Sequence, residues 1–128
     1  MSNYLEGVSM NVLQKSLDAV WLRQQVISNN IANSETPGYK TKSIEFENIF
    51  KDLLNDNYDN ISAVKRAIEN IEPVLTENST ASTKEDGNSV NLDYENIELA
   101  RAQIQYDYLI SSLTSQINRL KYAINGGK

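Results

Sequence analysis

The 128-residue chain has no cysteine and no histidine. Disulfides, zinc sites of the Cys/His kind, Cys–His nucleophile pairs and the Ser–His–Asp triad are thereby excluded. The lack of cysteine does not choose a compartment. Glycine and proline are scarce, at five and two, and no Gly-rich loop is present to cradle a phosphate. No apolar run approaches the roughly 20 residues of a membrane-spanning helix. Residues 1–7 lack the basic start and apolar stretch of a cleaved secretory signal. The expectation is a chain without such a signal and without direct membrane insertion. Positive charge is also in deficit: 12 Lys and Arg against 17 Asp and Glu give a net charge of −5. That balance argues against nucleic acid and against an anionic membrane surface.

What the chain does contain is helical periodicity at both ends. Leu13, Leu17, Val20, Gln24, Ile27 and Ile31 recur at spacings of three and four, which predicts a helix over about residues 9–33. Trp21 widens this stripe, and Val12, Ala19, Leu22 and Val26 make a thinner set on another face. Toward the C-terminus, Asp86-Gly87-Asn88 is a turn signal and Asn91 a good N-cap. Asp93 and Glu95 place negative charge in the first turn, where the helix dipole favours it. This helix should run to about Ile124 and stop at Gly126-Gly127. One of its stripes is Leu92, Leu99, Tyr106, Ile110, Leu113, Ile117, Leu120 and Ile124. A second, nearly opposite, is Tyr94, Ile97, Ile104 and Tyr108. A two-helix hairpin can cover only one of them, and uncovered stripes on long helices imply side-by-side assembly.

The predicted fold is therefore mainly α. Long N- and C-terminal helices pair antiparallel around a short irregular or β middle segment. Residues 1–33 make the first unit, residues 34–88 a partly flexible middle, and residues 89–128 the last helix. In the middle, Ile44, Phe46, Ile49 and Phe50 suggest a short strand or hairpin, residues 55–60 a polar turn, and residues 63–71 a short helix ending before Pro73. The polar tract over residues 76–89 is expected to be mobile.

No residue pattern demands catalysis. Glu45 and Glu47 would share one face of a strand, a spacing common on solvated surfaces. Asp56 and Asp59 lie in an Asn-rich turn without the glycine and closing glutamate of a calcium loop. No catalytic residue, metal or cofactor is expected. The tyrosines of the last helix suit either a half-buried hairpin surface or a subunit interface with the hydroxyl at its wet rim. Asn29, Asn30 and Asn33 suit either a C-terminal capping cluster or hydrogen bonding between subunits.

The run Asn29-Asn30-Ile31-Ala32-Asn33, followed by Thr36-Pro37-Gly38-Tyr39-Lys40, resembles the signature of bacterial flagellar rod and hook proteins. Residues 86–92, Glu98-Leu99-Ala100, Gln105-Tyr106 and Leu120-Lys121-Tyr122-Ala123-Ile124 resemble the end of the proximal rod proteins of the flagellar basal body. Leu17-Asp18-Ala19-Val20-Trp21-Leu22-Arg23-Gln24-Gln25 does the same near the start. The resemblance covers roughly residues 12–50 and 84–125. It implies a coiled-coil-like hairpin of the terminal helices, with residues 34–88 facing outward and residues 1–8 mobile. It also implies a non-enzymatic, self-assembling subunit of the torque-transmitting drive shaft in the cell envelope, exported unfolded by the flagellar type III apparatus. Its implied partners are itself, other rod proteins, the rod–MS-ring junction protein and the MS-ring. In that reading Leu13, Leu17, Val20, Ile27 and Ile31 pack on Tyr106, Ile110, Leu113, Ile117 and Leu120. Tyr94, Ile97, Ile104 and Tyr108 contact neighbouring subunits. The alternatives are another rod subunit, of the FlgC type, or a soluble helical adaptor or export chaperone holding a partner helix in an apolar groove.

Overall fold

The computed structural model describes residues 2–45, 74–77 and 84–127, with Arg66, Glu69 and Asn70, and side chains of the first helix from Met10 onward. Helix α1 spans Ser2–Ala32, strand β1 Lys42–Glu45, strand β2 Val74–Glu77 and helix α2 Leu92–Ile124. The helices of 31 and 33 residues are about 46 and 50 Å long at 1.5 Å per residue. They run antiparallel, since Arg23 reaches Gln105, Gln24 reaches Gln103 and Asn30 reaches Glu95. The fold is mainly helical with one small antiparallel sheet. β1 packs on α1 and pairs with β2, Lys42 opposite Glu77 and Glu45 opposite Val74.

The helix seam follows a heptad-like alternation. On α2, Glu95, Leu99, Ala102, Tyr106, Leu109 and Leu113 are spaced four-three-four-three-four, and all are buried or half-buried. Facing them, Val20 and Ile27 close the core around Ala102, with Ile31, Leu99, Tyr106 and Leu109 packed against it. Each large apolar side chain buried here contributes roughly 1.5–3 kcal/mol. This contact face is rotated from the one expected. Ile110, Ile117 and Leu120 stay more than a third exposed, while Ala102 and Leu109 are inside. The expected stripe was chosen by hydrophobicity, whereas the seam admits a small residue and a carboxyl, Ala102 and Glu95.

Two further expectations are corrected. The first helix starts at Ser2 rather than near residue 9; no proline precedes Met10, and Gly7 alone does not stop it. Thr76 and Glu77 belong to β2, and residues 84–89 are tied down, with Asn88 and Ser89 buried. The polar groups of residues 84–89 bond to the rest of the chain. Of the expected helix over residues 63–71, Arg66 and Glu69 are helical and the Asn70 N–H donates to the Arg66 carbonyl at 3.2 Å. Its remaining residues, Phe46, Glu47, Ile49, Phe50 and the Asp56–Asp59 turn lie outside the described residues.

The ends of α2 follow from its sequence. The Asn91 side chain accepts from the Tyr94 N–H at 3.2 Å, an N-cap bond. At the other end Gly126 N–H donates to the Ala123 carbonyl and Gly127 N–H to that of Tyr122, both glycines at positive φ. This pair of bonds is the Schellman arrangement, which favours glycine.

Ala102→Leu should overpack the seam and destabilise the hairpin by about 1–3 kcal/mol. Ala100→Leu, on an exposed position of the same helix, should stay within about 0.5 kcal/mol of the parent. Urea unfolding followed by circular dichroism measures both.

Candidate functional site

Where α1 ends and α2 begins, the two sequence runs singled out above bind each other. The chain leaves α1 through a β-turn in which the Tyr39 N–H donates to the Thr36 carbonyl at 3.2 Å, with Pro37 and Gly38 central and Gly38 at φ 75°. This is the chemistry of a type II turn. A second turn closes as Gly87 N–H donates to the Lys84 carbonyl at 2.9 Å. The turns sit back to back. Gly38 N–H donates to the Asp86 carbonyl at 2.9 Å, and a Cβ on Gly87 (φ 83°) would lie 3.4 Å from the Gly38 Cα. Lys40 Nζ donates to the Gly87 carbonyl at 2.8 Å and Lys84 Nζ to the Ser34 carbonyl at 3.0 Å. Ser89 N–H donates to the Tyr39 carbonyl at 3.0 Å, and Ser89 Oγ accepts from Thr41 N–H at 2.8 Å.

Two fully buried asparagines hold this clasp, Asn30 and Asn88. Asn88 Nδ2 donates to the carbonyls of Asn33 and Thr36, each at 2.8 Å, and its Oδ1 accepts from Val90 N–H at 2.8 Å. Asn30 Nδ2 donates to the Lys42 carbonyl at 2.8 Å and to Glu95 Oε2 at 3.2 Å. Its Oδ1 accepts from Tyr39 Oη at 3.0 Å and from Lys42 N–H at 3.1 Å. The amide's two donors and two acceptor positions are all used. By taking both backbone groups of Lys42, Asn30 stands where a neighbouring strand's peptide would stand, along the helix-facing edge of β1.

Asn30 thus fits neither reading of the amide cluster, because its bonds are tertiary and within one chain. Asn33 does cap the helix end: its Nδ2 donates to the Asn29 carbonyl at 2.8 Å and its Oδ1 accepts from Thr36 Oγ1 at 3.1 Å. Asn29 is exposed. Sequence reasoning also missed Asn88, read as a turn residue, Ser89, read as part of a mobile polar tract, and Glu95, read as a dipole partner. Glu95 is 3% exposed. Burial pushes its carboxyl above the ordinary range, the Asn30 hydrogen bond opposes the shift and the Glu98 charge adds to it. The Tyr39 phenol is also raised, by burial and then by Glu95 and Glu77.

The second feature is an uncovered face. On α2, Tyr94, Ile97, Ile104 and Tyr108 point away from the seam; Ile104 and Tyr108 are each 71% exposed. Leu13, Leu17 and Ile31 are half-buried on α1 and Trp21 exposed. Among the described residues no acidic cluster is placed to hold a metal, and no helix is long and apolar enough to cross a membrane.

Asn30→Ala should cost about 3 kcal/mol or more, because buried groups left unpaired cost roughly 1–3 kcal/mol each. Asn29→Ala, one position away and exposed, should change stability by less than about 0.5 kcal/mol. Chemical denaturation of the two variants checks the contrast.

A family model described as "Flagella basal body rod protein" matches residues 10–40, the stretch from mid-α1 through the first half of the clasp. The flagellar basal body rod protein FlgB of Bacillus subtilis (strain 168) is 33% identical over 123 residues, covering 91% of this chain and 92% of that protein. FlgB of Buchnera aphidicola subsp. Acyrthosiphon pisum is 31% identical over 128 residues, covering 91% and 93%. FlgB of Escherichia coli (strain K12) is 29% identical over 125 residues, covering 89% and 91%. Similarity of this extent runs through both helices and both halves of the clasp, and the chain belongs to the FlgB family of flagellar basal body rod proteins.

Proposed function

We propose that this chain is a structural subunit of the proximal flagellar basal body rod and that it meets its neighbours through the outer face of α2. The observation that carries the second part is the Tyr94–Ile97–Ile104–Tyr108 stripe. It remains in solvent after the seam has closed, and a patch of that kind marks an interface. Tyrosine suits such a place, with its ring packed and its hydroxyl wet.

A second patch lies elsewhere on the same helix. Ile110, Ile117 and Ile124 repeat every seven residues and are exposed, about 120–160° around the axis from Ile104 at 100° per residue. Two unlike patches suit head-to-tail contact, which extends into rings or filaments instead of closing as a symmetric dimer. Other rod components of the basal body are the natural partners on family grounds. Contacts with the rod–MS-ring junction protein and the MS-ring, and type III export without a cleaved signal, rest on the family resemblance. Work of this kind is mechanical: the subunit holds shape under load and turns over no substrate.

Ile104→Asp and Ile97→Asp test the reading. Neither side chain belongs to the seam. Helix content and thermal unfolding of the isolated subunit should match the parent, while self-association by light scattering falls at least about tenfold and motility of cells carrying the variant is lost. Unchanged association and motility would refute the α2 interface.

A further inference from the structure

Glu95 is the one buried ionisable side chain among the described residues whose location the assembly reading does not use. It sits where α1, β1 and α2 meet. On Glu95 Oε2 the donor is the neutral amide of Asn30, 3.2 Å away, and that same amide holds β1 through both backbone groups of Lys42. Charged and titratable groups face the carboxyl from every element around it: Arg23 from α1, Lys42 from β1, and Tyr94, Glu98 and Arg101 from α2 line a shared groove of about 300 Å³. Tyr39 reaches it through the Asn30 carbonyl oxygen. Arg101 and Arg23 have other engagements. Arg101 Nη1 donates to Glu98 Oε1 at 2.7 Å, and Arg23 donates to Gln105 Oε1 at 3.3 Å and to the Ile44 carbonyl at 3.4 Å.

We propose that the Glu95 carboxyl is a proton-operated latch: protonated, it lets α2 seat fully on Asn30 and β1, and ionised, it loosens that junction. The physical reason is the exchange of solvents. A neutral carboxyl loses little on leaving water, and a carboxylate with a neutral amide on one oxygen loses much of its hydration. Because Asn30 bonds Glu95, Lys42 and Tyr39 with one rigid amide, a shift of Glu95 is transmitted to the sheet edge and to the turn that leaves α1.

The sign follows from linkage. A carboxyl that binds its proton more tightly folded than unfolded makes the folded state the greater proton binder. Stability then falls as pH rises from the unfolded value, near 4.5, through the higher folded value, and levels off above it. The contribution is an ionisation penalty, absent on the acid side and complete on the neutral side.

Glu95→Gln keeps the shape and an oxygen to accept from Asn30, and removes the ionisation. Unfolding free energies of parent and variant, measured in urea from pH 4.5 to 8, should agree at the acid end and part toward neutrality. The parent's folding equilibrium constant should fall relative to the variant's by on the order of tenfold for each pH unit separating the two proton affinities. Parallel curves across the range would overturn the latch. A second measurement needs no variant: 13C NMR titration of the Glu95 carboxyl in the full chain. A midpoint above 4.5, accompanied by shifts at the Tyr39 and Lys42 amides, is expected; a midpoint at or below it, or one that leaves those amides unmoved, would also overturn the proposal. Neither result depends on how the subunit assembles, so Ile104→Asp and Glu95→Gln fail independently.

Discussion

The structure depends on one side-chain amide. Asn30 has no contact with solvent, and each of its four hydrogen-bonding positions is taken by a different atom of the same chain. A buried amide is costly unless fully bonded, so the geometry around it admits little variation. Fixing Lys42 on Asn30 sets where β1 lies along α1. Fixing Glu95 on it sets where α2 begins relative to the end of α1. Since the seam alternates by threes and fours, that one alignment determines which residues meet further along, including Val20 and Ile27 around Ala102. Apolar contact supplies most of the attraction between the helices, and the amide selects the register, a division of labour familiar from polar positions in coiled coils.

The helices, their antiparallel pairing, the N-cap and the glycine stop were legible because they rest on local rules: periodicity, a side chain able to cap, residues able to take positive φ. The clasp was legible only as two separate runs. Nothing in the spacing of Gly38, Tyr39 or Lys40 states that the partner lies some fifty residues later, at Asp86 to Ser89. Polar composition over residues 76–89 signalled exposure, and a polar segment that bonds other backbone has the same composition. The contact face of α2 was misjudged for a related reason. Hydrophobicity marks candidates for burial, but Glu95 and Ala102 entered through hydrogen bonding and close fit, and Ile110 and Ile117 yielded their places. The outer stripe of Tyr94, Ile97, Ile104 and Tyr108 could be read because it recurs at helical spacing on a face that one partner helix cannot reach.

The two glycines of the clasp show how local and long-range demands coincide. Gly38 satisfies the Thr36–Tyr39 turn, and Gly87 at φ 83° satisfies its own. The same lack of side chains lets the turns approach until a Cβ would stand 3.4 Å from the opposite backbone, so Gly38 can donate to Asp86. The two lysines then cross the junction to carbonyls on the far side. The arrangement binds the chain at the root of the hairpin with main-chain groups, leaving most side chains of α2's outer face free of intramolecular duties.

The pairing of Glu45 with Val74 has a different consequence. It brings the two ends of the intervening stretch to one place, directly beside the helices. The sequence between them therefore begins and ends at neighbouring points of one ladder. Closing a longer or shorter excursion across fixed ends changes the chain entropy only slowly with length. With its ends fixed by that pairing, the intervening sequence can change in length at little cost to closing the ladder.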